Sequence, residues 1–303
     1  MSTETGRRPP LGGLDGRTLL VLACFVPLFL FFAAVWVVPI VFALWMSFFE
    51  NPTTAAEFVG LDNYVELLTT PRFWEFLWTS VVYAVGSTVL SLLVGLALAL
   101  AVNRRIRGRL GLRTMMIFPY LLPTLIVIFL WTFLLDQNVG VLNQFLVEYG
   151  VVDEPIAFFS SLQWAMPSVI VASVWKYGSF AFFIILARLQ AIDDDLYERA
   201  RVEGATTWQM FRDITLPNLR SAILIILLVR GIWMFNKFDI IWLSTRGGPI
   251  EATTTLPIYV YRLTFSSVAF GRATALAGIM FALLAATAVV YFYVFQPSEE
   301  VNV

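Results

Sequence analysis

The chain has 303 residues, of which 59% are hydrophobic, 16% aromatic and 14% charged, with a formal net charge of -1 and no histidine. Globular domains in water carry roughly 25% charged residues, so this is the composition of an integral membrane protein. The missing histidine excludes Ser-His-Asp and Cys-His catalysis; with Cys24 as the single cysteine, a zinc site or internal disulfide has no material either.

A helix needs about 20 apolar residues to cross a bilayer. Six segments meet this, at about 19–48, 77–102, 115–135, 167–189, 221–244 and 273–295. Pro27 and Pro39 interrupt the first, and Pro119 and Pro123 fall near the start of the third. The first run is about twice the 7–15 residues of a signal-peptide core and no small-x-small site follows it, so it reads as a retained span. The expectation is an all-α integral membrane protein of six spans, with tails at 1–18 and 297–303, a membrane domain at 19–296 and a charged loop at 190–220.

Charge sets the expected orientation. Arg7, Arg8 and Arg17 precede the first span. Arg104, Arg105, Arg107, Arg109 and Arg113 fill the loop after the second, and Arg199, Arg201, Arg212 and Arg220 the loop after the fourth. Of the alternate loops, 50–76 holds only Arg72 and 136–166 no basic residue at all. The positive-inside rule then puts both termini and the 190–220 loop in the cytoplasm. On the other side, the run from Phe58 to Tyr64 with Phe73 and Trp74 mixes aromatic and turn residues suited to the interface. The runs Asn138–Asn143 and Arg246-Gly247-Gly248-Pro249 are turn-prone.

The most charged island between apolar segments covers residues 198–217. Asp193, Asp194 and Asp195 precede it, and Asp195 with Glu198 has the spacing of a capping box. This predicts a short helix over 196–202, broken at Gly204, where glycine tolerates positive φ. Thr206 or Thr207 caps a second short helix with Trp208 and Phe211 on one face, and Pro217 closes the unit. Two readings fit: a knob that inserts into a groove on another protein, or an amphipathic connector on the lipid surface.

The spacing Glu198-x-Ala200-x-x-x-Gly204, followed by Ile214-x-Leu216-Pro217, resembles the EAA loop of ABC-importer permeases. The 58–64 run, Trp175-Lys176, Ala191-Ile192 with Leu196-Tyr197-Glu198, and Gly247-Gly248-Pro249 resemble the carbohydrate-uptake branch, in the subunit type similar to the larger maltose permease subunit. The resemblance covers about residues 20–295. Arg199 and Glu203 depart from it, standing where alanine and aspartate are usual, and the extra leading spans and large outer domain of the maltose subunit are missing. The resemblance implies a type I ABC importer permease fold whose EAA coupling helices dock on a separate ATPase. Glu198, Ala200, Glu203, Gly204, Ala205, Trp208, Phe211, Leu216 and Pro217 are the coupling residues it implies. It also implies a second permease subunit as heterodimer partner, a dimeric ATP-binding subunit that holds MgATP, and an extracellular sugar-binding protein.

Charges within a bilayer default to functional hypotheses. Lys176, Arg230, Lys237 and Asp239 are such charges, and Trp175, Tyr177, Phe180, Trp233, Asn236 and Trp242 lie beside them. Aromatic faces suit sugar rings, and Lys, Asp and Asn suit hydroxyls. The family's sugar site, carried over by register, falls on Trp175, Tyr177, Phe180, Trp233, Met234 and Lys237; Met234 and Lys237 replace asparagines of the maltose subunit. The candidate set is Trp175, Tyr177, Phe180, Trp233, Met234, Asn236, Lys237 and Asp239. The simpler reading makes the aromatics interface anchors and pairs Lys176 and Arg230 with backbone carbonyls or a partner's acids.

The function expected is the non-catalytic membrane subunit of an ATP-driven sugar importer. This chain has no G-x-x-x-x-G-K-S/T loop and binds no cofactor itself. The cationic residues keep a glycerol-phosphate importer as an alternative. A secondary transporter would need more intramembrane acids, a channel a polar pore-lining pattern, and an intramembrane enzyme a nucleophile with a base. No basic, aromatic-rich face for nucleic acid is present.

Overall fold

The computed structural model describes residues 16–51, 55–103 and 108–295. Residues 1–15 and 296–303, and the arginines at 7, 8, 104, 105 and 107, lie outside the described residues; the expected tail at 1–18 therefore overlaps α1 at its last three positions.

Helix α1 (Gly16–Phe32) runs through a π-helical turn (Ala33–Val37) into α2 (Val38–Met46). Pro39 is absorbed in the first turn of α2, where its missing N–H costs little. None of this span's apolar window is buried within the chain. A short antiparallel pair follows, β1 (Phe49–Asn51) with β2 (Ala55–Phe58), a small departure from the all-helical expectation. Helix α3 (Asp62–Thr69) starts beside it. Asn63 is buried there and donates to the carbonyls of Ser47 at 2.8 Å and Phe49 at 3.0 Å, so this corner is a packed element.

Helix α4 (Pro71–Asn103) is the longest at 33 residues. The third segment is not one straight span: α5 (Arg109–Leu121) and α6 (Thr124–Leu134) meet at a 100° bend. Pro123 forbids the α conformation at Leu122, which is extended. Then come α7 (Val141–Glu148) and α8 (Ala165–Gln190). The loop helix α9 (Asp194–Val202) precedes α10 (Thr207–Met210), a π turn (Phe211–Thr215) and α11 (Leu216–Phe235). The last three elements form one continuous span of 29 residues. Helix α12 (Asp239–Thr245) resumes after a break, so the fifth segment ends nine residues earlier than 244 (244 − 235). Helices α13 (Leu256–Phe265) and α14 (Phe270–Phe295) complete the fold. Among the described residues, five helices, or six spans with the bent pair counted as one, are long and apolar enough to cross a membrane.

Lipid is as apolar as leucine, so the hydrophobic effect does not hold these helices together; close packing does. The dominant contact, α4 against α8, is built from small residues. A Cβ at Gly95 would lie 2.8 Å from both the Ala181 Cβ and the Phe182 backbone nitrogen. Ala99, Ala181 and Ser87 on this seam are at most 1% exposed. Helix α11 packs on both. One buried cluster gathers Tyr83, Ile170, Tyr177, Met234 and Ile240. A second, nearer the charged loop, holds Leu92, Phe182, Ile185, Leu189, Leu219 and Ile226.

Candidate functional site

Two features depart from plain apolar packing: a polar cavity where two spans break, and the charged loop. The cavity, of about 320 Å³, is lined by Tyr120, Tyr177, Arg230, Ile232, Trp233, Met234, Asn236 and Lys237. Its shape follows from the two breaks. Helix α11 stops at Asn236, and α6 begins only after the Leu122–Pro123 kink, so α5 brings Tyr120 to face α8 and α11. Backbone freed at such depth must find partners within the protein. The Lys176 ammonium, 5% exposed, donates to the Leu122 carbonyl, and Ser179 Oγ donates to that of Met116.

The charges cluster around one ring. Lys176 Nζ, Arg230 Cζ and Lys237 Nζ lie 5.4, 4.9 and 4.7 Å from the Tyr177 ring centroid. Arg230 also sits 5.4 Å from the Phe180 ring and 5.8 Å from that of Trp233. Asp239 pairs with Lys237 at 3.0 Å and accepts from Thr124 Oγ1 at 2.8 Å, which ties α12 to α6. The Phe180 and Trp233 rings are 5.6 Å apart.

Of the candidate set, Tyr177, Trp233, Met234, Asn236 and Lys237 line the cavity, while Phe180 and Asp239 contact its lining. Met234 is 1% exposed and places its sulfur 3.9 Å from the Tyr83 hydroxyl, so it belongs to the core as much as to the cavity. Trp175 is not brought to the cavity: its ring packs at 6.1 Å against Trp131. Sequence reasoning missed Tyr120 and Thr124. Their one signal was the Pro119/Pro123 pair flanking Tyr120, which reads as a helix start until the bend is seen. A larger cavity of about 540 Å³ between α4, α11 and α14 is lined by leucine, valine and other apolar groups. It offers a polar solute only Thr88, Thr287 and the Tyr291 hydroxyl, so the smaller cavity is the candidate.

In the loop, α9 is capped by Asp193, whose carboxylate accepts from the Asp195 N–H at 3.0 Å. The expected Asp195/Glu198 box does not form, because the helix begins two residues earlier, at Asp194, with Asp193 as its cap. Glu198 and Ala200 lie on α9, and Glu203 caps its end. Gly204 takes φ +83° and Ala205 follows. Thr206 forms the capping box with Gln209 and starts α10. Trp208 is 68% exposed, and its ring lies 5.6 Å from that of Phe211. Leu216 and Pro217 do not close the unit: Pro217 sits in the first turn of α11, where proline fits, so the second loop helix continues into the fifth span. Tyr197 and Thr215 join the two halves by a 2.9 Å hydroxyl pair. Arg188 Nε donates to the Asn218 carbonyl at 3.0 Å. Glu198 and Glu203 make no ion pair among the described residues.

Broken membrane helices around a polar cavity, with an ordered, exposed loop joining two spans, define a multi-span subunit of a transport system. The family described as binding-protein-dependent transport system inner membrane component matches residues 87–298, and the chain belongs to that family. It is 34% identical over 289 residues to the sulfoquinovosyl glycerol transport system permease protein of Agrobacterium fabrum, covering 94% of this chain and 92% of that one. It is 32% identical over 260 residues to the trehalose/maltose transport system permease protein of Thermococcus litoralis, covering 85% and 87%. A solved bacterial ABC transporter that imports the acidic polysaccharide alginate shares the fold, with a TM-score of 0.82 at 24% identity over 94% of this chain and 97% of that one. A bacterial alginate ABC transporter in complex with a pentasaccharide-bound periplasmic protein gives 0.80 at 26% identity, over 91% and 94%.

Proposed function

We propose that this chain is a permease subunit of an ATP-driven, binding-protein-dependent sugar importer. The observation that carries this is the loop: an ordered helix–glycine–helix unit with an exposed Trp208, and with Glu198 and Glu203 in no ion pair among the described residues, whose second helix is fused without interruption to the fifth span. A connector lying on lipid needs no continuous helix into the span. A part that receives motion from another protein does, because a continuous helix transmits a rigid-body shift. The names of the relatives, and the solved neighbour holding a sugar-loaded periplasmic protein, support sugar as cargo.

In this reading the loop residues from Glu198 to Pro217 dock on a dimeric ATPase that binds MgATP, and the loop and both termini face the cytoplasm. A second, different permease completes the pathway, and a binding protein delivers sugar to the opposite face. Tyr177, Phe180, Trp233, Asn236 and Lys237 receive the sugar: aromatic faces stack on the ring and polar groups bond hydroxyls. This chain supplies pathway and lever; its partner supplies the chemistry. A glycerol-phosphate importer is the second reading, favoured by the cations around Tyr177.

The test is uptake of labelled sugar into vesicles holding this chain with its partner permease, ATPase and binding protein. Omitting the ATPase, MgATP or the binding protein takes uptake to background. Uptake by this chain without the ATPase contradicts the reading and favours a secondary transporter.

A further inference from the structure

The cavity at the α11–α12 break holds more positive than negative charge. Three cations surround the Tyr177 ring, and the carboxylate among them, Asp239, is already engaged by Lys237 and Thr124. Lys176 has the Leu122 carbonyl, which is a dipole and leaves its charge standing. Arg230 is 2% exposed, and its Nη2 has no hydrogen-bond partner among the described residues; neither has the Tyr177 hydroxyl in the same lining. Aromatic faces soften a buried guanidinium. They do not accept its N–H groups, and a buried charge without partner or counter-ion is costly. A guanidinium kept for structure alone would be met by a carboxylate or carbonyls of its own chain. This one is held against rings, borders the cavity, and keeps a buried N–H group without an acceptor among the described residues.

We propose that the cargo of this cavity is an acidic sugar, a saccharide carrying a carboxylate, sulfonate or phosphate. Its anionic oxygens sit at Arg230 and the Tyr177 hydroxyl, and its ring lies against Trp233, which is 48% exposed. This rests on the sugar-importer reading and narrows it. A neutral sugar satisfies the two free hydrogen-bonding groups and leaves the charge uncompensated. An anion does both, and planar guanidinium suits such oxygens. The Lys237–Asp239 pair keeps the second cation from holding the anion too tightly to release.

The experiment measures binding to the assembled importer in nanodiscs, without binding protein, by saturation-transfer NMR. The probes are trehalose, trehalose 6-phosphate, a diuronate and glycerol 3-phosphate. Trehalose and its 6-phosphate differ in one anionic group. The expected result is an affinity for the phosphorylated sugar and the diuronate about tenfold or more above that for trehalose. Arg230→Gln brings that ratio towards one, and Arg230→Lys keeps most of it. Because each ratio is taken on one preparation, partial misfolding of a variant cancels. Equal affinities for the neutral and acidic sugars, or an unchanged ratio in Arg230→Gln, overturn the acidic-sugar proposal and leave the importer reading intact. Binding of glycerol 3-phosphate with no binding of any saccharide overturns both.

Discussion

At the residue scale, polar groups in this chain are placed by what they complete. Asp136 follows α6, and its carboxylate accepts from the Asn138 N–H at 2.8 Å and the Val139 N–H at 3.0 Å. The Val139 and then the Asn138 backbone bonds hold this exposed carboxyl below the usual carboxylate range. A value lower folded than unfolded contributes order that is complete above the unfolded value, about 3.9, and lost as pH falls through the folded one. Amide protection at Asn138 and Val139, corrected for intrinsic exchange, is therefore constant from pH 7 to about 5 and falls below about 4. Protection unchanged down to pH 2 contradicts this. Such local signals were legible in part: the Thr206 cap follows from residue chemistry, while the turn-prone run 138–143 is a turn only before Val141, where α7 begins. Tyr120 was not, because nothing near it in sequence says that a bend aims it at Arg230's cavity. Trp175 was misplaced for the converse reason. It neighbours Lys176, yet on a helix adjacent residues face different ways, and its ring meets Trp131.

At the element scale, apolar run length located the spans, since bilayer thickness dictates it, but not the ends of the fifth, whose helix covers Thr207–Phe235 where 221–244 was expected. The breaks depend on partners distant in sequence. Pro123 marks where α5 must stop, but the 100° bend survives in the membrane because Lys176, 54 residues on, takes the Leu122 carbonyl. Lys176→Met removes that donor and leaves a carbonyl unsatisfied at membrane depth, a loss of about 1–3 kcal/mol. The purified subunit complex then unfolds several degrees lower, and limited proteolysis opens the 121–124 junction. A variant as stable and protease-resistant as the parent shows that the bend holds by packing alone. Pro217 misled in the same way: read locally it ends a helix, while in the fold it occupies the first turn of α11, where proline belongs.

At the scale of the whole molecule, the chain is a rigid unit with unfinished surfaces. The seam of α4, α8 and α11 joins the charged loop to the cavity: Tyr197 and Ile214 of the loop pack on the cluster holding Leu219 and Ile226, and α11 then carries Arg230 and Trp233. The first span buries nothing of its own window within the chain and is left to lipid or a partner. We propose that motion of the loop drives this seam. Gly204, the proposed hinge, is open to solvent at φ +83°, with no atom near enough to meet an added Cβ. Proline, fixed near φ −65°, cannot take that conformation, and it touches nothing in the cavity. The decisive measurement is ATP-driven sugar uptake together with ATP hydrolysis in vesicles holding the four-component importer, Gly204→Pro against the parent chain. The expected result is that the variant inserts, co-purifies with its partner permease and still binds sugar, while uptake and binding-protein-stimulated hydrolysis both fall to background. Normal uptake in the variant contradicts it.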